Sequence, residues 1–145
     1  MLQPSELSDT VLGAGLSPNE LDVLAAAGSK ATYPVGATLL APDDGDHSLL
    51  LLLEGECEVL GVMEDELNYL RPGMLLGEVA FVDRGARSAR VVAKTSCVVA
   101  IFPGELAETL RRDSPELAAK FTLNLAKVLC KKLRQASRMI EAIQI

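Results

Sequence analysis

The sequence predicts a mainly β fold, a sandwich or barrel of short strands with helices at both ends. Three observations carry this. Turn chemistry recurs at short intervals between residues 31 and 103, at Pro34-Val35-Gly36, Asp43-Asp44-Gly45-Asp46, Glu54-Gly55-Glu56, Arg71-Pro72-Gly73 and Asp83-Arg84-Gly85, and Leu- and Val-rich runs lie between these turns. Residues 1–30 and 104–145 instead carry helix starts and apolar residues at helical spacing. With 145 residues, 49% of them hydrophobic and 23% charged, the chain suits a single domain over 1–145 with a buried core.

Taken in order, Ser5 to Leu12 is a weak helical stretch, and a strong start follows at Leu16-Ser17-Pro18-Asn19-Glu20-Leu21. Ser17 can accept from the Glu20 amide while the Glu20 side chain reaches back to the Ser17 amide, and Pro18 suits the first helical position. That helix is expected to run to Ala27, stop at Gly28 and bury Leu21, Leu24 and Ala25. In the β region, Glu54, Glu56 and Glu58 alternate with Cys57 and Val59, as if one face were wet and the other core. After Pro103-Gly104 a short helix is expected over Glu105 to Leu110, then a long one opened by Ser114 and Pro115. Within the long helix, Phe121, Leu125 and Val128 form a stripe that can dock on the barrel. Ala126, Leu129, Leu133, Ala136, Ile140 and Ile143 recur at heptad spacing, as a pairing seam does. A homodimer through that seam is the expectation.

Several function classes fall away. No apolar run approaches the roughly 20 residues that span a bilayer, and Met1-Leu2-Gln3-Pro4-Ser5-Glu6 does not read as a secretory signal, so a cytoplasmic location is expected. Cys57, Cys97 and Cys130 lack the spacing of a disulfide framework or a zinc site and are expected to be reduced, buried fillers. His47 is the sole histidine, which leaves little for acid–base, nucleophilic or metal chemistry, so no enzyme, no metal and no cofactor are expected. Net charge is −6, yet residues 111–145 hold eight Lys or Arg against three Asp or Glu. The acidic body argues against a nucleic-acid partner.

The informative stretch runs from Gly77-Glu78-Val79-Ala80-Phe81 to Arg87-Ser88-Ala89-Arg90-Val91-Val92-Ala93. Read as a strand, Arg87 to Ala93 places Arg87 on a face with Ala89, Val91 and Ala93, where an unpaired guanidinium would be too costly to persist. Arg87 therefore needs either an internal carboxylate, for which Glu78 is the candidate, or a bound anion. Small neighbours Ser88 and Ala89 let backbone amides approach such an anion, and Gly77 opens a turn of helix whose free amides also favour negative charge.

These residues resemble the cyclic nucleotide-binding domain family, shared by catabolite-activator-type regulators, cyclic-nucleotide-dependent kinases and gated channels. Beyond Gly77 to Ala93, the resemblance extends over Tyr33-x-x-Gly36 with Leu39 and Leu40, Gly45-Asp46, Leu52-Leu53-Glu54-Gly55-Glu56-x-Glu58-Val59 and Pro72-Gly73, covering residues 10 to 140. It implies a jelly-roll-like, cupin-like β-barrel over 31–103, N-terminal helices over 1–30 and C-terminal helices over 104–145. It further implies that Arg87 binds the cyclic phosphate of cAMP or cGMP, Glu78 the ribose 2′-hydroxyl, and backbone amides near Ala80, Ser88 and Ala89 the remaining phosphate oxygens, to which Ser88 can add its hydroxyl, with Gly77 and Val79 in the same nucleotide-binding set. Val59 and Leu70 match positions that wall the base, and Ala136 and Ser137 fall where the long helix caps it. Arg90 stands where kinase relatives carry a small residue, but its parity points it away from the phosphate. The regulators continue into a DNA-binding domain beyond the long helix, whereas this sequence stops at Ile145. The expectation is a stand-alone sensor signalling through its C-terminal helix, the alternative an interaction module of the same fold that binds no nucleotide, with Arg87 held by Glu78.

Overall fold

The computed structural model describes residues 1–60, 67–87 and 89–143. At the N-terminus, α1 (Ser5–Ser8) precedes α2 (Pro18–Ala27). The start of α2 is locally determined: Ser17 Oγ accepts from the Glu20 amide at 3.1 Å, and the Glu20 carboxylate accepts from the Ser17 amide at 2.9 Å. The helix stops at Gly28, as expected, but not through a left-handed turn, since φ is −107°. Gly28 is needed for space, because a Cβ there would stand 2.7 Å from the Phe102 ring.

Eight strands and one short helix follow: β1 (Ser29–Tyr33), β2 (Thr38–Leu40), β3 (Leu49–Glu54), β4 (Cys57–Leu60), β5 (Leu67–Leu70), β6 (Leu75–Leu76), α3 (Glu78–Asp83), β7 (Arg90–Ala93) and β8 (Cys97–Phe102). They form two antiparallel four-stranded sheets, ordered β1-β8-β3-β6 and β2-β7-β4-β5, in a jelly-roll-like arrangement with flanking helices. The five leucines from Leu49 to Leu53 show no polar alternation because β3 is covered on both faces. Leu50 and Leu52 point between the sheets with Leu40, Cys57, Leu70, Val91 and Val99. Leu49 and Leu51 face the helices with Leu24, Phe81, Phe102, Leu106 and Phe121.

One expected strand face does not form. Gly55, at φ +93°, turns the chain out of the first sheet after Glu54, and β4 starts in the second sheet at Cys57. Glu54 and Glu58 therefore belong to different sheets rather than to one wet face. The turn is tight: a Cβ on Gly55 would lie 2.3 Å from the Ser96 carbonyl oxygen. Cysteine placement also differs in part, since Cys57 and Cys97 are buried whereas Cys130 is exposed.

The chain ends in α4 (Leu106–Asp113) and α5 (Pro115–Ile143), the latter 29 residues and so about 43 Å long. Its first half is docked through Leu117, Phe121 and Leu125, and Phe121 meets Phe81 edge-on at 6.1 Å between centroids. Lys120 pairs with Glu20 at 2.7 Å, and buried Asn124 donates to the carbonyls of Leu12 and Ala14 at 3.1 and 2.9 Å. Along the expected seam, Ala126, Leu133 and Ala136 are exposed and Leu129 is half-buried. The side chains of Ile140 and Ile143 lie outside the described residues. Among the described residues no helix is long and apolar enough to cross a membrane.

Candidate functional site

Between α3, the second sheet and α5 lies a cavity of about 230 Å³. Its wall is mostly aliphatic, from Leu40, Val59, Leu70, Leu76 and Val91. Gly77, Glu78, Val79, Ala80, Arg87, Ala89 and Lys132 also line it. The structure thus brings Val59, Leu70, Gly77, Glu78, Val79, Ala80, Arg87 and Ala89 to one place. Ser88 lies outside the described residues. Ala136 and Ser137 depart from expectation: both are exposed and neither lines the cavity. The helix meets the cavity one turn earlier, at Lys132.

Arg87 is buried, at 6% exposure, but not by strand alternation. It sits on the loop between α3 and β7, because β7 starts only at Arg90, so the expected parity with Ala89, Val91 and Ala93 does not apply. Arg90 is exposed. What holds the guanidinium is the β2–β3 loop: Nη2 donates to the Ser48 carbonyl at 2.8 Å and to Asp46 at 3.3 Å, and Nε lies 3.6 Å from Asp44 Oδ1. The carboxylates beside Arg87 are thus Asp44 and Asp46, not Glu78 as the internal-pair reading expects. Among the described residues Nε has no hydrogen-bond acceptor, which leaves donor capacity in a buried cation.

Asp46 illustrates how the loop is set. Burial works against its charge, but the Ser48 hydroxyl and amide and the Arg87 guanidinium outweigh that and hold its carboxyl below the usual value. Gly77 completes the cradle. Its φ of +76° is left-handed, and a Cβ there would stand 2.3 Å from Arg87 Nη1. Only glycine meets both conditions without displacing the guanidinium.

Glu78, the first residue of α3, is 2% exposed. One carboxylate oxygen pairs with Lys132 of α5, and the other is buried with no donor among the described residues. An acceptor of this kind is complete only when a donor such as a ligand hydroxyl reaches it. Lys132 is half-exposed, and burial of its stem pushes its ammonium below the usual value. Ahead of α3's own hydrogen bonds, the first-turn amides have no intrahelical acceptor. The cavity therefore combines an aliphatic slot, a buried cation with spare donors and a buried carboxylate with a spare acceptor. That combination matches a ligand carrying an anion, a hydroxyl and a flat apolar body. Asp44, Asp46, Ser48 and Lys132 were not legible as site residues in the sequence. Asp44, Asp46 and Ser48 reach it from the β2–β3 loop and Lys132 through helix packing; the Asp43-Asp44-Gly45-Asp46 turn and the Gly45-Asp46 resemblance marked the loop but gave it no site role.

Comparison with known proteins agrees with this chemistry. Residues 30–114 match the family model described as the cyclic nucleotide-binding domain, and the chain belongs to that family. Among curated relatives, it is 31% identical over 136 residues to the cyclic AMP receptor protein of Thermus thermophilus, covering 89% of this chain and 60% of that protein. It is 30% identical over 141 residues to glutaminase 1 of Bradyrhizobium diazoefficiens, covering 97% of this chain but 23% of the enzyme. The chain thus spans less than two thirds of the length of these relatives. A cyclic nucleotide-binding domain from Methylobacillus flagellatus superposes with a TM-score of 0.86, at 23% identity, over 98% of this chain and 84% of the other, and so shares its fold.

Proposed function

We propose that this module binds a cyclic nucleoside monophosphate, cAMP or cGMP, and passes occupancy to α5. The observation that carries the reading is that one cavity is lined by a buried Arg87 with an unfilled donor and a buried Glu78 with an unfilled acceptor, among the described residues. In this reading Arg87 and the amides of Gly77, Val79, Ala80, Ser88 and Ala89 take the cyclic phosphate. Glu78 takes the ribose 2′-hydroxyl, and Val59 and Leu70 flank the base. Similarity to a cyclic AMP receptor protein supports cAMP as the first ligand to try. The module is regulatory rather than enzymatic; the glutaminase match spans only a minor part of that enzyme.

Signalling follows from differential contact. A ligand shifts the α5 equilibrium only through interactions that differ between its docked and released states, and the Lys132–Glu78 pair is such an interaction. In the same reading residues 1–145 form one cytoplasmic module that does not contact nucleic acid. The exposed seam of Ala126, Leu133 and Ala136, with Leu129, Ile140 and Ile143, supports pairing of two copies.

One observation favours a second reading, a module that binds no nucleotide: Arg87 already has two carboxylates beside it. Thermal melts with cAMP, cGMP and a non-cyclic nucleotide, on wild type and Arg87→Ala, separate the two. At ligand 100-fold above Kd the linkage is worth about 2.7 kcal/mol, and a domain near this size converts that to a shift of about 5–10 °C. A shift with a cyclic nucleotide that vanishes in Arg87→Ala supports the sensor. A cooperative melt that none of the three ligands moves supports the second reading.

A further inference from the structure

Cys57 and Cys97 are far apart in sequence and in different sheets, yet their sulfurs lie 3.6 Å apart in the barrel, and both residues are 0% exposed. Each is the first residue of its strand, directly after a turn: Gly55-Glu56 before β4, and Lys94-Thr95-Ser96 before β8. The turns are stitched together, because the Glu56 carbonyl accepts from the amides of Lys94 and Thr95 at 2.9 and 3.2 Å and the Glu56 amide donates to Thr95 Oγ1 at 2.9 Å. Gly55 allows this approach, since a Cβ there would stand 2.9 Å from Cys97 Sγ.

We propose that Cys57 and Cys97 are a reversible oxidation site, closing to an intramolecular disulfide when a hydroperoxide reaches them. A disulfide needs its sulfurs about 2.05 Å apart, so closure brings the two sulfurs about 1.5 Å nearer than their van der Waals contact. The step balances with hydrogen peroxide as the oxidant. One cysteine sulfur, as thiolate, attacks the peroxide, an S–O bond forms as O–O breaks, and hydroxide takes up the proton from that thiol and leaves as water. The second thiol sulfur then displaces the sulfenic hydroxyl, which departs with the second proton as another water, and the S–S bond forms. Two electrons pass from the thiols to the peroxide, and a dithiol reductant returns them.

Burial sets the rate. It pushes the Cys57 thiol up to about 12, with the Cys97 thiol adding to the effect, and only the thiolate is nucleophilic. Oxidation therefore runs through opening of the two stitched turns and speeds up in mild urea. The ring it closes encloses residues 58–96, which contain Val59, Leu70, Gly77, Glu78, Ala80, Arg87 and Ala89. The disulfide thus girdles the segment that carries most of the cavity wall.

The test uses the full chain with Cys130→Ser, which removes the exposed thiol and intermolecular exchange. The protein is treated with hydrogen peroxide in mild urea, unfolded, alkylated with N-ethylmaleimide and weighed. The expected product is lighter than the reduced chain by two hydrogens, takes up no maleimide, and takes up two after dithiothreitol. Proteolysis yields a peptide pair joined through Cys57 and Cys97, and the oxidised protein melts on the order of 10 °C above the reduced one. Two maleimides after peroxide, a gain of oxygen at either sulfur without cross-linking, or a disulfide found only between chains each overturn the proposal. Since the readout is mass and needs no nucleotide, its failure leaves the proposed ligand unaffected.

Discussion

Lys132 of α5 and Glu78 of α3 form an ion pair at the cavity, which ties the long C-terminal helix to a carboxylate that the proposed ligand also needs. Glu78 is almost wholly buried while Lys132 is half-exposed. Removing the lysine therefore strands a buried carboxylate rather than merely deleting a surface bridge. Lys132→Met is expected to lower stability by about 1–2 kcal/mol, discounted for the exposure of the lysine, and to speed hydrogen exchange along residues 126–138. In a Glu78→Gln background the same change is expected to cost little. Urea melts of the four proteins give the coupling, and strictly additive costs would show that the pair does not anchor the helix.

Arg87→Ala removes the buried cation that Asp44 and Asp46 both approach. Truncating one side of a buried charge contact costs about 2–5 kcal/mol of binding. Isothermal titration with cAMP and cGMP is expected to show affinity reduced by at least tenfold, with the β-sheet spectrum kept. Unchanged affinity would take the phosphate away from Arg87.

Gly77 and Gly73 make a controlled comparison. Both have positive φ, +76° and +94°, but a Cβ on Gly73 meets nothing within 4 Å, whereas one on Gly77 meets the Arg87 guanidinium at 2.3 Å. Gly73→Ala is expected to cost about 1–2 kcal/mol of backbone strain alone. Gly77→Ala is expected to cost more and to abolish any ligand-induced rise in Tm. Equal costs and an intact ligand response would show that the guanidinium yields freely.

Acid is expected to remove what Asp46 contributes to the Arg87 cradle. The Asp46 carboxyl is held below its usual value despite its burial, so the stability it contributes is present above the ordinary Asp pKa of about 3.9 and is lost as pH falls through its lower folded value. In Asp46→Asn that part of the acid dependence is expected to flatten. Melts between neutral pH and about pH 3 check this, and parallel curves for the two proteins would refute it.

Removing residues 126–145 takes away Lys132 and the exposed seam but keeps Leu117, Phe121 and Leu125 in the core. Nucleotide binding is expected to remain measurable, while any ligand-dependent change in oligomeric state disappears. Sedimentation of the full and shortened chains with and without ligand reads this directly. A shortened chain that still changes mass on binding would place the relay elsewhere.

The sequence by itself determined the elements whose causes are local. The Ser17–Glu20 capping box and Pro18 start α2 because the groups that bond are three residues apart. Gly36, Gly45, Gly55, Gly73 and Gly77 mark left-handed backbone, which few other residues adopt. The pattern from Gly77 to Ala93 carries the family. Tertiary structure alone decided who meets Arg87, since Asp44, Asp46 and Ser48 arrive from the β2–β3 loop. It also decided that the Glu54 to Val59 run splits at Gly55 between two sheets, that Lys132 rather than Ala136 or Ser137 reaches the cavity, and that Cys57 touches Cys97. The physical reason is common to all four. Each depends on strand register or on the rotation of a docked helix, which is set by packing across the whole core, and a one-residue slip in either sends a different side chain to the site.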